Sequence, residues 1–276
     1  MAQKKLRIKA IIMDRNQEQG QAIVDLHCHI LPGIDDGAKQ LNNSLAMARM
    51  AVEQGITHML CTPHHNNNKY NNPADQVIAN VKNLQDELER LEIPLLLYEG
   101  QEVRIGGNIL EQIESNELLF ADLYNRYLLI ELPTNELPAY TAPLFRTLIE
   151  RGHIPILVHP ERNSKLIEEP NKLLPFLEMG VLTQLTAPSY VGVFGKKIQQ
   201  TAKQMVANNL VYMVASDAHN IQKRGFFMQK AYQSMVKDVG SEQVYAMQQM
   251  ARDVLNGDQV ERPKFQAVKK RKLSFF

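Results

Sequence analysis

The stretch IVDLHCHILPGIDDGAK, residues 23–39, sets the reading of the chain. Its first eight residues form an apolar run interrupted by Asp25, His27 and His29, the pattern of a buried strand. Residues i and i+2 of a strand share a face, so His27 and His29 converge. The loop behind them, Pro32-Gly33-Ile34-Asp35-Asp36-Gly37, adds two carboxylates. Asp-Gly is also ordinary turn chemistry, and both readings hold together. An HxH pair alone is weak evidence, so its weight comes from what ends the other strands.

Working outward, short apolar runs alternate with amphipathic stretches. Residues 41–53 carry apolar residues at helical spacing and stop at Gly55. Further strands are expected at 57–62, 94–103, 127–132, 154–159, 181–187 and 211–216. Helices are expected at 73–91, 109–115, 139–151, 173–179, 196–208, 227–239 and 241–255. HHNNNKYNNP, residues 64–73, reads as a loop. About seven strand-then-helix units imply a parallel sheet with right-handed crossovers. One α/β domain closed into a barrel accounts for so many repeats, with an open doubly wound sheet as the alternative.

Barrel active sites lie at the carboxyl ends of the strands. Those ends carry Thr62-Pro63-His64-His65, Glu99 and Glu102 in YEGQEV, Glu131 in LLIELP, His159, Glu161 and Arg162 in VHPER, and Asp217 and His219 in SDAH. Taken singly, Glu131 reads as a salt-bridge partner and His159 as a core histidine. Asp217 also suits a helix N-cap. Jointly, imidazole and carboxylate at one end of nearly every strand match a multinuclear zinc, manganese or iron site. The run 181–187 offers no obvious ligand. His58 and His153 fall at strand entrances and read as structural. Arg162 and Arg224 suit bidentate contact with phosphate oxygens.

The bulk numbers exclude several classes. The chain has 276 residues, is 44% hydrophobic and carries a formal net charge of +1. It therefore has material for a core and no global field for nucleic acid or membrane. No apolar run is long enough to span a bilayer, so a transmembrane protein is not expected. The amino-terminal residues lack a signal-peptide pattern, and a cytoplasmic location is expected. The two cysteines, Cys28 and Cys61, form no disulfide framework. Neither opens a C-x5-R loop, and there is no GxxxxGK[ST] phosphate loop. VKKRKLSFF, residues 268–276, reads as a solvated basic terminus.

These motifs resemble the polymerase and histidinol phosphatase (PHP) superfamily. DLHCHILPGIDDGAK, GQEV, LIELP, HPER, VASDAHN and QLTAPSYVGVFGKK are similar to its bacterial branch of protein-tyrosine phosphatases from capsule and exopolysaccharide operons. The likeness covers about residues 23–255. It implies a single-domain, PHP-like distorted (β/α)7 barrel over residues 23–256, between an extension at 1–22 and a basic tail at 257–276. It also implies three metal ions. Manganese is the expected ion, with iron, zinc and magnesium as alternatives. Carried over by motif, the first metal takes His27, His29, Glu102 and Asp217. Glu102 bridges to a second held by Glu131 and His159. A third takes Asp36, His64 and His219, with Asp35 as the fallback for Asp36. Arg162 and Arg224 hold the phosphate. Many PHP proteins have histidine where Glu131 stands here.

The implied reaction is hydrolysis of phosphotyrosine on the tail of a bacterial tyrosine kinase, by a metal-activated water attacking in line. His64 or Asp36 assists through the third metal. Tyrosyl oxygen is a good leaving group and needs little protonation. The rival readings are a histidinol-phosphatase-like small phosphomonoesterase, a PHP-type nuclease and a catalytically silent binding module. No basic stripe with interleaved aromatics supports a nucleic-acid partner. An oligomer is compatible with the sequence.

Overall fold

A computed structural model describes residues 22–269. Most of the amino-terminal extension and the end of the basic tail lie outside the described residues. Nine strands run β1 (Ile23–Cys28), β2 (Ile56–Cys61), β3 (His64–His65), β4 (Leu96–Glu99), β5 (Glu102–Arg104), β6 (Tyr127–Glu131), β7 (Ile154–Val158), β8 (Leu182–Thr186) and β9 (Met213–Ala215). Every pairing between them is parallel. They form a three-stranded sheet, β1-β2-β4, and a six-stranded sheet, β3-β5-β6-β7-β8-β9. One parallel bridge, Cys28 to Ala218, links the end of β1 to the segment after β9. The hydrogen-bonded order is thus two parallel sheets rather than one continuous closed barrel.

The division has a local cause. The expected single strand at 94–103 is broken at Gly100–Gln101. A side chain at Gly100 would meet Leu60 Cγ at 2.8 Å, so the backbone there lies against β2. Gln101 turns its amide to the carbonyls of Asn72 and Glu117 and accepts from Leu119 N. The chain then resumes as β5 beside β3, and His64 and His65 leave the expected loop to form that short strand.

Parallel strands covered by helices bury both faces. β6 and β8 are buried at every residue. The α-helices among the described residues are α1 (Leu41–Glu53), α2 (Ala74–Arg90), α3 (Ile109–Glu114), α4 (Thr141–Glu150), α5 (Ser164–Glu168), α6 (Leu174–Met179), α7 (Ala187–Tyr190), α8 (Lys196–Ala207), α9 (Met228–Val239) and α10 (Ser241–Asn256), of which α3, α5, α6 and α7 are short. α2 buries Val77, Val81, Leu84 and Leu88, a stripe at helical spacing. α5 and α7 were not expected from the sequence. One continuous core results, from Leu26 through Tyr127 and Phe145 to Met213.

The carboxyl-terminal segment is docked over residues 257–269; of the stretch read as solvated, 268–276, only Val268 and Lys269 are described, and Val268 packs against the core. α10 ends at Gly257, whose φ of +75° gives the left-handed stop that glycine favours. The chain then runs along the domain without regular secondary structure. Val260, Phe265 and Val268 pack against the core. Gln266 N bonds to Asn208 O, and Val268 N to Asn171 Oδ1. These three apolar side chains are spaced among lysines and arginines, which hid them in a charged stretch.

A Cβ at Gly257 would lie 2.4 Å from Tyr124 Cδ2 and 2.9 Å from Asp122 Oδ2. Gly257→Ala therefore combines a clash with an unfavourable backbone. It is expected to cost about 1–3 kcal/mol, read as a lower thermal midpoint with activity per folded molecule retained.

Candidate metal centre

The carboxyl ends of the strands bring all the expected residues together. His27 lies in β1 and His29 just past it, His64 opens β3 after the end of β2, Glu102 opens β5 after the end of β4, and Glu131 closes β6. His159 follows β7, and Asp217 and His219 follow β9. His159 (φ +36°) and Asp217 (φ +49°) both sit in the left-handed region. Such backbone costs roughly 1–3 kcal/mol per residue and persists where the surroundings impose it. Here it turns two side chains back over the strand ends.

Glu102 is central. Its Oε2 lies 3.3 Å from both His27 Nε2 and His29 Nε2, and 2.9 Å from His64 Nδ1. Its Oε1 lies 2.7 Å from His159 Nε2. Asp217 Oδ1 is 3.5 Å from His27 Nε2 and 3.3 Å from His29 Nε2. Asp36 Oδ1 is 3.3 Å from both His64 Nε2 and His219 Nε2. Glu131 Oε2 is 3.9 Å from His64 Nδ1. Three groups hold their ligand atoms within 4.8 Å of one another: His27, His29 and Asp217; His64, Glu102 and Glu131; and His29, Asp36, His64 and His219.

Proton placement shows what this arrangement fits. His29 Nδ1 lies 2.7 Å from Asp35 Oδ2, and a neutral ring donating there has a bare Nε2. His27 Nδ1 faces Gln184 Oε1 at 3.0 Å, and donating there bares its Nε2 as well. The two Nε2 atoms are 3.2 Å apart, among the oxygens of Glu102 and Asp217. Buried lone pairs facing one another are costly without a compensating charge. Glu102 Oε2, Glu131 Oε2 and His219 Nε2 are buried without an aligned hydrogen-bond partner. The donor set, imidazole and carboxylate alone, suits divalent cations.

Burial pulls His29 and His64 down, but Asp35 and Glu102 respectively outweigh it and raise both, His64 to about 10, so a cation binding there would displace protons. Burial, and then the Glu102 charge, raise Glu131 to about 7 against the pull of Arg104. Burial, and then Arg162, lower His159 to about 4. Burial and the neighbouring His29 lower His219 to about 4 as well. Both imidazoles are thus held neutral, the ligating form. Arg162 pairs with Asp217. Arg224 lies 3.2 Å from Asp217 Oδ2 and 3.4 Å from Asp36 Oδ2. Each arginine stays more than a quarter exposed, so an anion can reach it.

Two contributors escaped the sequence reading. Gln184 comes from the strand judged to lack ligands and orients His27 instead of ligating. Its signal was an amide inside an apolar run. Arg104 lies 2.9 Å from Glu131 Oε2 and donates to Leu132 O. Strand alternation places it on the face of Glu102. Asp35 is buried against His29 and also accepts from Gly37 N, whereas Asp36 faces two other imidazoles. A side chain at Gly37 would fall 2.0 Å from His29 O, so this glycine is required by space. His58 and His153 lie away from the cluster, with His153 bonded to Asn125 O. Glu161 turns to Thr186.

Parallel strands presenting imidazoles and carboxylates at one end, with arginines at the rim, define an α/β protein with three groups of side chains that could hold metal ions. The chain belongs to the capsular polysaccharide synthesis CpsB/CapC family, whose model matches residues 23–255. It is 40% identical over 254 residues to the tyrosine-protein phosphatase YwqE of Bacillus subtilis, covering 92% of this chain and 100% of that one. The CapC protein of Staphylococcus aureus is 38% identical over 210 residues, 76% of this chain and 82% of that one. A crystal structure from work on YwqE of B. subtilis and CpsB of Streptococcus pneumoniae, described as metal-dependent tyrosine phosphatases, superposes with a TM-score of 0.86. It is 39% identical and covers 90% of this chain and 100% of its own.

Two outcomes test the centre. Asp36→Asn is expected to lower the bound-cation stoichiometry, while Asp35→Asn keeps it and weakens affinity by about 10–100-fold. Metal titration followed by elemental analysis reads both, and the reverse pattern would exchange their roles. Cys28 and Cys61 are free and buried, and burial pushes both thiols up. Iodoacetamide should leave the native protein unmodified and fully active, with both thiols labelled only after unfolding in urea.

Proposed function

We propose that this chain is a metal-dependent protein-tyrosine phosphatase whose catalytic unit spans residues 23–256. The convergence of nine histidine and carboxylate side chains beside two accessible arginines carries this reading. Its relatives' names point to the same reaction. The two sheets are read as seven strand positions of a distorted barrel, with β2–β3 and β4–β5 each counted as one interrupted strand.

His27, His29, Glu102 and Asp217 would hold a first cation. Glu102, Glu131 and His159 would hold a second, and Asp36, His64 and His219 a third. Manganese is the proposed ion. Such ions would supply Lewis acidity toward the phosphoryl oxygens and an activated water. The protein's own residues do the rest. Gln184 and Asp35 orient His27 and His29. Arg104 holds Glu131. Arg162 and Arg224 offer guanidinium N–H groups to the equatorial phosphoryl oxygens, where charge accumulates. A phenolate leaves with little protonation, which suits a site whose buried acids are committed to other partners.

The proposed substrate is a phosphotyrosine segment, with the tail of a bacterial tyrosine kinase as partner in the cytoplasm. Among the described residues, no helix is long and apolar enough to cross a membrane.

Purified protein supplemented with Mn²⁺ is expected to hydrolyse phosphotyrosine peptide faster than histidinol phosphate. The reverse preference would favour a small-molecule phosphomonoesterase. Arg162→Ala should lower turnover about a hundredfold or more with metal content unchanged. Undiminished turnover would remove Arg162 from the phosphate site.

A further inference from the structure

Two cavities flank the cluster on opposite sides, and their linings differ. One, of about 240 Å³, lies beside Asp36 and His219, is bounded by polar side chains such as Lys39, Asn43 and Gln222 and apolar ones such as Met47 and Ile221, and has no phenyl ring in its wall. The other, of about 230 Å³, is bounded on the cluster side by Glu131, His159 and Arg162, and opposite them by Leu132, Phe194 and Ile198. An apolar cavity of about 150 Å³ is enough to take a benzene ring. The second cavity therefore has room for a phenyl group beside the residues that face a phosphoryl group.

Phe194 is placed there by a tight turn between α7 and α8. It lies between Gly192 (φ +86°) and Gly195 (φ +95°), and it is half-buried. The Arg162 guanidinium sits over its ring, 5.2 Å from the centroid. A cation against an aromatic face is attractive. The same arginine pairs with Asp217 on its other side. Phe194 is thus tied to the anion-binding end of the cavity and also forms its apolar wall. The GVFGKK motif has no other role at the cluster.

We propose that this cavity is the subsite for the aromatic ring of an aryl phosphate, with Phe194 as its specificity-determining wall. This deepens, and rests on, the phosphatase reading above. Ring-to-ring contact and burial favour an aryl over an alkyl ester, and the cavity beside Asp36 presents no phenyl face for such contact. Tyr70, stacked on His64 with ring centroids 6.0 Å apart, is the competing aromatic near the cluster.

The test uses two inert probes that share an anion and differ in the ring. Full-length protein loaded with Mn²⁺ is titrated calorimetrically with phenylphosphonate and with methylphosphonate. Wild type is expected to bind phenylphosphonate about tenfold more tightly. Phe194→Ala should bring that ratio close to one while methylphosphonate affinity stays within about twofold, and Phe194→Leu should restore part of the preference. An unchanged ratio in Phe194→Ala overturns the proposal, whether or not both affinities fall together, because Phe194 would then only support Arg162. A wild type without ring preference, or a preference lost in Tyr70→Ala instead, overturns it as well. If wild type binds neither phosphonate, the phosphate site itself fails and the subsite with it.

Discussion

Buried lone pairs that face one another at the strand ends are the constraint on which the rest of this structure depends. Glu102 meets three imidazoles through one oxygen and a fourth through the other. Dry, that arrangement holds together only with extra protons on His29 and His64, which the surrounding carboxylates favour, because His27 and His29 face Gln184 and Asp35 through Nδ1. A fold that places these groups together must either hydrate them or supply positive charge. The outer residues follow from that need. Gln184 and Asp35 hold the rings, Arg104 steadies Glu131, and the arginines at the rim offset Asp217.

The backbone bears part of the same cost. His159 and Asp217 adopt left-handed conformations where each follows its strand, and Gly37 is pressed against the carbonyl of His29. None of these serves the hydrophobic core, which closes independently around Leu26, Tyr127 and Phe145. The core therefore supplies stability, and the strand ends spend some of it on holding polar groups close together.

Much of this was legible in the residues, for identifiable reasons. Strand alternation puts His27 and His29 on one face whatever surrounds them, and Glu131 or Asp217 in an apolar run demands a partner. Those signals are local, and every expected ligand entered the cluster. What escaped is set by tertiary contact. The break at Gly100–Gln101 depends on Leu60 lying beneath it. Gln184 shows only as an amide inside an apolar run, and nothing in the sequence names His27, 157 residues away, as its partner. Neighbouring Asp35 and Asp36 are equivalent as letters. Only the turn, with one side chain inward to His29 and the other toward His64 and His219, separates them. The docked segment at 257–269 hides three apolar anchors among charges.

Asp217 shows how the metal and anion roles interlock. It faces His27 and His29 through one oxygen and Arg162 and Arg224 through the other. A phosphate drawing on both guanidiniums competes with this buried carboxylate for the same donors. The exchange is favourable only if Asp217 keeps compensation from its other side, where the bare imidazole nitrogens lie. Cations held there would supply that compensation and would also attract the phosphate. Charge at the cluster and occupancy at the arginines would then reinforce each other, and a site stripped of its cations is expected to hold its arginines inward on Asp217 and to bind anions weakly.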